Sequence, residues 1–259
     1  MHDESVKLGK FIFKSFLGAI AFYTYIPLPS KWILEWQRIA RFAPIIGIII
    51  GSLLGLIDFG LGKLTTPVLT RSALVVGAWI LLTGGLHLDG AIDSADGLAV
   101  LEEKRRLEVM QDSCTGAFGV MAAIMIIILK TAALSELTNY RWLALMYCSG
   151  WGRWGQVLAI ACYDYLKPEG KGAFHKKYIK LPQDILLGLL SLIGLGCIQL
   201  YLYPQSWQLP LLATLGGIAI TVTVAAWFKH QLGGHTGDTY GAVVEWTEAL
   251  LLCLITIEF

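Results

Sequence analysis

The chain reads as an all-α integral membrane protein, a bundle of about seven transmembrane helices preceded by an interfacial or re-entrant helix. Three observations predict this. The 259 residues are 56% hydrophobic and only 15% charged, where soluble domains carry about 25% charge. Mean hydropathy is +0.63. Apolar runs near the ~20 residues that a spanning helix needs recur along the whole length, with polar loops between them.

The basic start, with Lys7, Lys10 and Lys14, leads into an apolar run from Phe11 to Ile26 that Pro27-Leu28-Pro29 closes. This run is short for a span and lacks a small-residue cleavage site, so it reads as a helix at the interface rather than a removable leader. Spans are expected at about 39–61, 68–88, 117–135, 141–163, 184–203, 209–228 and 240–257. The first contains Pro44, which neighbouring helices can accommodate. With no internal repeat and no linker, residues 1–259 form one polytopic domain.

Loop charge orients the bundle. If the N-terminus is cytoplasmic, the inside segments hold Lys7, Lys10, Lys14, Lys31, Arg38, Arg41, Lys104, Arg105, Arg106, Lys167, Lys171, Lys176, Lys177, Lys180 and Lys229. The outside holds only Lys63, Arg71 and Arg141. Such a bias places the basic loops in the cytoplasm. A net charge of +1 gives no reason to expect nucleic acid. The five cysteines (Cys114, Cys148, Cys162, Cys197 and Cys253) form no C-x-x-C pair and read as small core residues.

One polar stretch interrupts this oily sequence, running from Gly84-Gly85-Leu86-His87-Leu88-Asp89-Gly90 through Asp93 to Asp96-Gly97. At about 100° per residue, Asp93 and Asp96 fall within roughly 40° of Asp89, so one helix face carries three carboxylates. Like charges so placed repel unless a cation lies between them, and hard oxygen donors suit Mg²⁺ or Mn²⁺. Asp112, where the chain re-enters the membrane, is the fourth candidate ligand. The bland alternative is a solvated acidic loop.

Other charges stay open between two roles. Arg105 and Arg106 can fork onto phosphate oxygens or anchor to anionic lipid. Arg153 lies about eleven residues, or ~16 Å, inside its span; it either meets an anion in a wet cavity or pairs with Glu245 or Glu248. Lys130 and Asp58 lie near external ends, where snorkelling suffices. Gly233-Gly234-His235-Thr236-Gly237-Asp238 offers backbone donors for a phosphate at a helix start. Asp238 is a metal ligand, a base or the cap of the last helix. His87 and His235 are the histidines best placed to move protons. Together these groups point to metal-assisted displacement at phosphorus, with a hydroxyl attacking and a nucleotide leaving.

Leu82–Gly90, Asp93, Asp96-Gly97, Arg106–Ser113, Gly116–Gly119, Gly152-Arg153-Trp154 and Gly233–Ala242, with Glu245 and Glu248, resemble the adenosylcobinamide-GDP ribazoletransferases, or cobalamin synthases. The resemblance runs from about residue 20 to residue 250. It implies a multi-pass enzyme of the bacterial inner membrane whose active site faces the cytoplasm. That enzyme joins adenosylcobinamide-GDP to α-ribazole or its 5′-phosphate and releases GMP, at the end of vitamin B12 biosynthesis, using Mg²⁺ (Mn²⁺ as a substitute). On this footing Asp89, Asp93, Asp96 and Asp112 form the metal cluster. Arg153, Arg105 or Arg106 holds phosphate, the turn at Gly233, Gly234 and Thr236 with His87 and Glu245 binds substrate, and Asp238, Glu245, His87 or an aspartate of the cluster is the base. Asp93-x-x-Asp96-Gly97 also resembles the CDP-alcohol phosphotransferases, which makes a phospholipid synthase the runner-up, ahead of a cation-coupled transporter. Besides substrates the chain's partner is the bilayer; a homo-oligomer is left open.

Overall fold

The computed structural model describes residues 2–257, with the side chains of residues 2–8 and of Lys171 excepted; Lys7 and Lys171, two of the expected inside cations, therefore fall outside the described side chains. Eleven α-helices run through the described residues. They are α1 (His2–Tyr23), α2 (Ala43–Lys63), α3 (Val68–Thr83), α4 (Leu86–Ala99), α5 (Glu103–Val109) and α6 (Ala117–Glu136). Then come α7 (Arg141–Cys162), α8 (Lys171–Tyr178), α9 (Gln183–Leu202), α10 (Gln208–Leu232) and α11 (Gly237–Ile255). The only sheet-like pairing among them is an isolated bridge between Tyr165 and His235.

This is a helical membrane protein. Among the described residues four segments are long and apolar enough to cross a bilayer, Ile39–Lys63, Ala117–Glu136, Gln183–Leu202 and Pro204–Leu232, or five if the bent pair of α3 and α4 is one span. Their outer faces leave Leu56, Phe59, Ile124, Ile128, Leu190 and Leu215 exposed, which a lipid surround accounts for. The expected count of seven is not reached on that measure. Helices α7 and α11 are long enough, at 22 and 19 residues, but carry polar and charged side chains in the middle of the bundle.

The expected span at 68–88 is broken. Gly84 and Gly85 both adopt left-handed backbone, at φ 61° and 69°, which ends α3 and starts α4 at 93° to it. Side-chain-bearing residues rarely adopt that conformation, so the glycine pair is what makes the elbow. Pro44 does not interrupt a helix either: the segment begins as a 3₁₀ turn at Ile39–Phe42, and Pro44 sits in the first turn of α2, where its missing N–H costs no bond.

Close helix approach organises the centre. Gly47, Gly51 and Gly55 recur every fourth residue on α2 and lie against Ser149, Met146 and Trp142 of α7; a Cβ on Gly55 would stand 2.8 Å from that of Trp142. Such stripes of small residues let backbones meet where no hydrophobic drive separates helix from lipid. Two buried ion-pair groups fill the remaining volume. Lys130 of α6 reaches Glu245 at 2.6 Å and Glu248 at 2.5 Å on α11, and Arg153 of α7 also pairs with Glu248. Arg141 meets Asp58 at 2.7 Å and Ser72 at 3.0 Å. Lys130 and Asp58 thus do not snorkel; each is buried against a partner from another helix, which is what makes their burial affordable. Cys148 alone is fully buried, while Cys114, Cys162 and Cys197 are exposed rather than core residues; all five are free thiols.

Candidate active site

The aspartates at 89, 93 and 96 do share a helix, α4, as their spacing predicts. Two glycines bring that helix against α11. A Cβ on Gly90 would lie 2.5 Å from the Asp238 carbonyl oxygen, and one on Gly241 would lie 2.8 Å from that of His87. The two backbones therefore nearly touch, and Asp238 at the start of α11 faces Asp89 and Asp93. Burial, then the charges of Asp89 and Asp238, pushes the Asp93 carboxyl up to about 6, with Lys167 pulling the other way. Unbalanced negative charge is thus concentrated around one cation.

Lys167 gave no signal beyond its place in a basic loop. It is aimed by a short strand-like pairing: Leu166 N–H donates to His235 O at 2.8 Å, and His235 N–H donates to Asp164 O at 2.8 Å. That pairing lays the 164–167 loop along the 233–238 turn, and the Lys167 ammonium donates to Asp238 Oδ2 at 2.9 Å. Thr236, not Asp238, caps α11. Its hydroxyl accepts from Thr239 N–H while the Thr239 hydroxyl accepts from Thr236 N–H, which leaves Asp238 to face the site. The N–H of Gly233 is likewise spent on Lys229 O, and Gly234 packs on Asp164, so this turn is a splice between segments rather than an open row of donors.

The four-aspartate cluster is not assembled. Asp96 turns away: its two oxygens accept the N–H groups of Gly116 and Gly119 at 2.7 Å each, holding the start of α6. Asp112 is exposed and accepts from Cys114 N–H in its own loop. No group of three or more His, Cys, Asp or Glu side chains among the described residues is close enough to hold a metal by itself. Arg153 pairs with Glu248 and the Ser149 carbonyl, and Glu245 pairs with Lys130, so both lie in the buried network. Arg106 ties α5 to the end of α10 through Val100 O and Gln231 O. Arg105 is exposed, 4.0 Å from Glu108.

Two cavities flank Asp89. One, of about 590 Å³, opens beside the glycine elbow and is lined by Thr24, Tyr25 and Gly84-Gly85. The other, of about 220 Å³, runs inward past Asp238 and Lys167 to His87, Gln156, His175 and Tyr240. His87 therefore reaches the site, whereas His235 does not. Its Nε2 faces Ala225 O at 3.1 Å and its ring stacks between Tyr163 and Tyr240, with burial lowering its pKa to about 4. Of the inner cavity's residues the sequence singles out His87, Asp89 and Asp238 and misses Gln156, His175 and Tyr240; a polar Gln156 within an otherwise apolar stretch is a signal that could have found it.

Comparison with known proteins decides the family. Residues 15–256 match the cobalamin-5-phosphate synthases. The chain belongs to that family. Relatives named adenosylcobinamide-GDP ribazoletransferase include proteins of Trichormus variabilis, 56% identical over 96% of this chain and 98% of the relative, and of Synechocystis sp., 48% identical over 91% of each. Another, of Prochlorococcus marinus, is 34% identical over 94% of this cobalamin-5-phosphate synthase family member and 95% of the relative. No solved structure is similar to the chain.

Proposed function

We propose that this protein joins adenosylcobinamide-GDP to α-ribazole, or to its 5′-phosphate, giving adenosylcobalamin or its 5′-phosphate and GMP. The observation that carries the reading is the meeting of Asp89, Asp93 and Asp238 with Lys167 where two cavities open on either side of Asp89. A transfer between two bulky substrates needs two such cavities around one centre of charge. Nothing in the fold or the relatives favours a phospholipid synthase.

Chemically, a ribazole hydroxyl attacks the phosphorus on the cobinamide side, a P–O bond forms, and the P–O bond to GMP breaks. Lys167 is placed to balance phosphate charge, and the hydroxyl's proton passes to one of the three carboxylates. Phosphoryl transfer asks the protein mainly to position and to neutralise. Asp89, Asp93 and Asp238 also suit Mg²⁺, which takes one or two carboxylates and fills its shell with water and phosphate oxygens, so a complete protein cage is not required. When bound, that ion would screen the diphosphate and stabilise the departing GMP. The basic loops support a cytoplasmic mouth in a bacterial inner membrane.

The test is turnover by detergent-solubilised protein given adenosylcobinamide-GDP, α-ribazole and Mg²⁺, with EDTA as control. Metal-dependent release of GMP together with the coupled corrinoid supports the reading; absence of both from folded protein, with Mn²⁺ tried as well, refutes it. Orientation is read by labelling exposed Cys114 with an impermeant maleimide, which should react in inverted vesicles and not in intact cells.

A further inference from the structure

The inner cavity ends in polar groups that no protein atom satisfies. Both ring nitrogens of His87, Nε2 of His175, Oε1 of Gln156 and the hydroxyl of Tyr240 are buried without a hydrogen bond. These residues are only 1%, 4%, 5% and 1% exposed. Leaving such a group unpaired costs about 1–3 kcal/mol. Five such atoms on four residues of one cavity call for a ligand that supplies the missing partners.

The wall also has a shape and a charge. The rings of His87 and His175 lie nearly parallel to that of Tyr23, at 14° and 17°, and Phe22 meets His175 edge-on at 4.8 Å. Burial lowers the His175 pKa to about 4, so its ring is neutral at neutral pH. The charged residues Asp89, Lys167, Glu169 and Asp238 line the same cavity. At about 220 Å³ the space is smaller than the ~300 Å³ at which pockets for drug-sized ligands begin. It admits one fused ring system and excludes a corrin.

We propose that this cavity is the subsite for the neutral, planar heteroaromatic base of a nucleoside, whose ribose then extends to Asp89 and Asp238. The proposal rests on the reaction above, which brings two such bases: the benzimidazole of ribazole and the guanine of the activated corrinoid. Flat aromatic walls favour stacking, and the five orphaned polar atoms can meet ring nitrogens or exocyclic groups.

Calorimetric titration tests it. Purified wild-type protein is titrated separately with α-ribazole and with GMP, and then Gln156→Leu and Tyr240→Phe are titrated likewise. Tyr240→Phe removes a single oxygen and keeps the ring that packs on His235, so a folded comparison is assured. One of the two nucleosides should bind, each variant should weaken it about tenfold, the loss of one hydrogen bond, and the KM of its parent substrate should rise to match while the other KM stays put. A shift in ribazole places benzimidazole in the cavity; a shift in GMP places guanine there. The proposal is overturned if neither nucleoside binds, or if the variants bind both as the wild type does. Binding that the variants lose, in a protein that turns nothing over, would keep the base subsite and reject the reaction; turnover with unchanged KM values would do the reverse.

Discussion

Asp93 and Asp96 belong to one motif but should fail in different ways when replaced by asparagine. Asp96 is 9% exposed and receives two backbone N–H bonds of 2.7 Å at the first turn of α6. A hydrogen bond to a charged acceptor is worth about 1.5–3 kcal/mol, and an anion at a helix N-terminus adds about 0.3–1 kcal/mol. Asparagine keeps one oxygen and turns an NH₂ towards the second N–H, so Asp96→Asn should cost about 2 kcal/mol. For a chain of this size that lowers Tm by roughly 5 °C. Asp93 sits among like charges instead, and burial with the charges of Asp89 and Asp238 pushes its carboxyl up to about 6, so removing its charge relieves repulsion. Asp93→Asn should melt at or slightly above the wild-type temperature while abolishing turnover. Thermal unfolding in detergent, followed by circular dichroism beside the GMP-release assay, separates the two. An Asp96→Asn protein that melts with the wild type, or an Asp93→Asn protein that melts well below it, refutes this division of roles.

Other perturbations have equally definite outcomes. Gly90→Ala forces a methyl onto the Asp238 backbone and should cost about 1–3 kcal/mol with loss of turnover, whereas Gly77→Ala in α3, where a Cβ meets nothing within 4 Å, should be neutral or stabilising by up to about 1 kcal/mol; equal melting temperatures would contradict the close approach. Lys130→Met leaves Glu245 and Glu248 buried around one fewer cation and should destabilise by about 3–5 kcal/mol, so a variant as stable as the parent would show the network to be dispensable. His175 and His235 both have pKa values near 4 in the fold. The unfolded chain takes up their protons first as pH falls, so the stability they contribute is whole above about 6.5 and lost progressively towards 4, by roughly 3 kcal/mol for each. Melting curves across that range should show the fall, and His175→Gln should shrink it; a pH-independent difference between the two proteins would argue against a neutral buried His175.

Much of the site was legible because it depends on short-range order. The four- and three-residue intervals of Asp89, Asp93 and Asp96 put them on one helix whatever surrounds it, and the glycines at 84 and 85 marked a place where backbone geometry is special. What those glycines do was not legible, since an apolar run reads alike whether it continues or turns a right angle. Asp96 looked like its neighbours because its partners, Gly116 and Gly119, lie some twenty residues on, across an intervening loop. Depth in the span leaves Arg153 open between an anion and a pairing with Glu245 or Glu248, and the pairing with Glu248 is the one formed. Lys130 misled for the opposite reason: distance from a span's end measures access to water only when no carboxylate waits on another helix. Lys167 was hidden because its aim comes from a two-segment splice, a contact between loops some seventy residues apart.

The buried network also sets an order of assembly. Lys130 is carried by α6 and Arg153 by α7, but Glu245 and Glu248, which neutralise them, sit in α11, which leaves the ribosome after both. During synthesis two cations must therefore wait, at the lipid boundary or in the insertion machinery, for acids that do not yet exist, because a lone charge at bilayer depth is costly. The same helix brings Asp238 to the other two carboxylates. A nascent chain interrupted before residue 237 would lack its charge balance and its reactive centre together, so neutralisation of the buried cations and assembly of the carboxylate group become a single event.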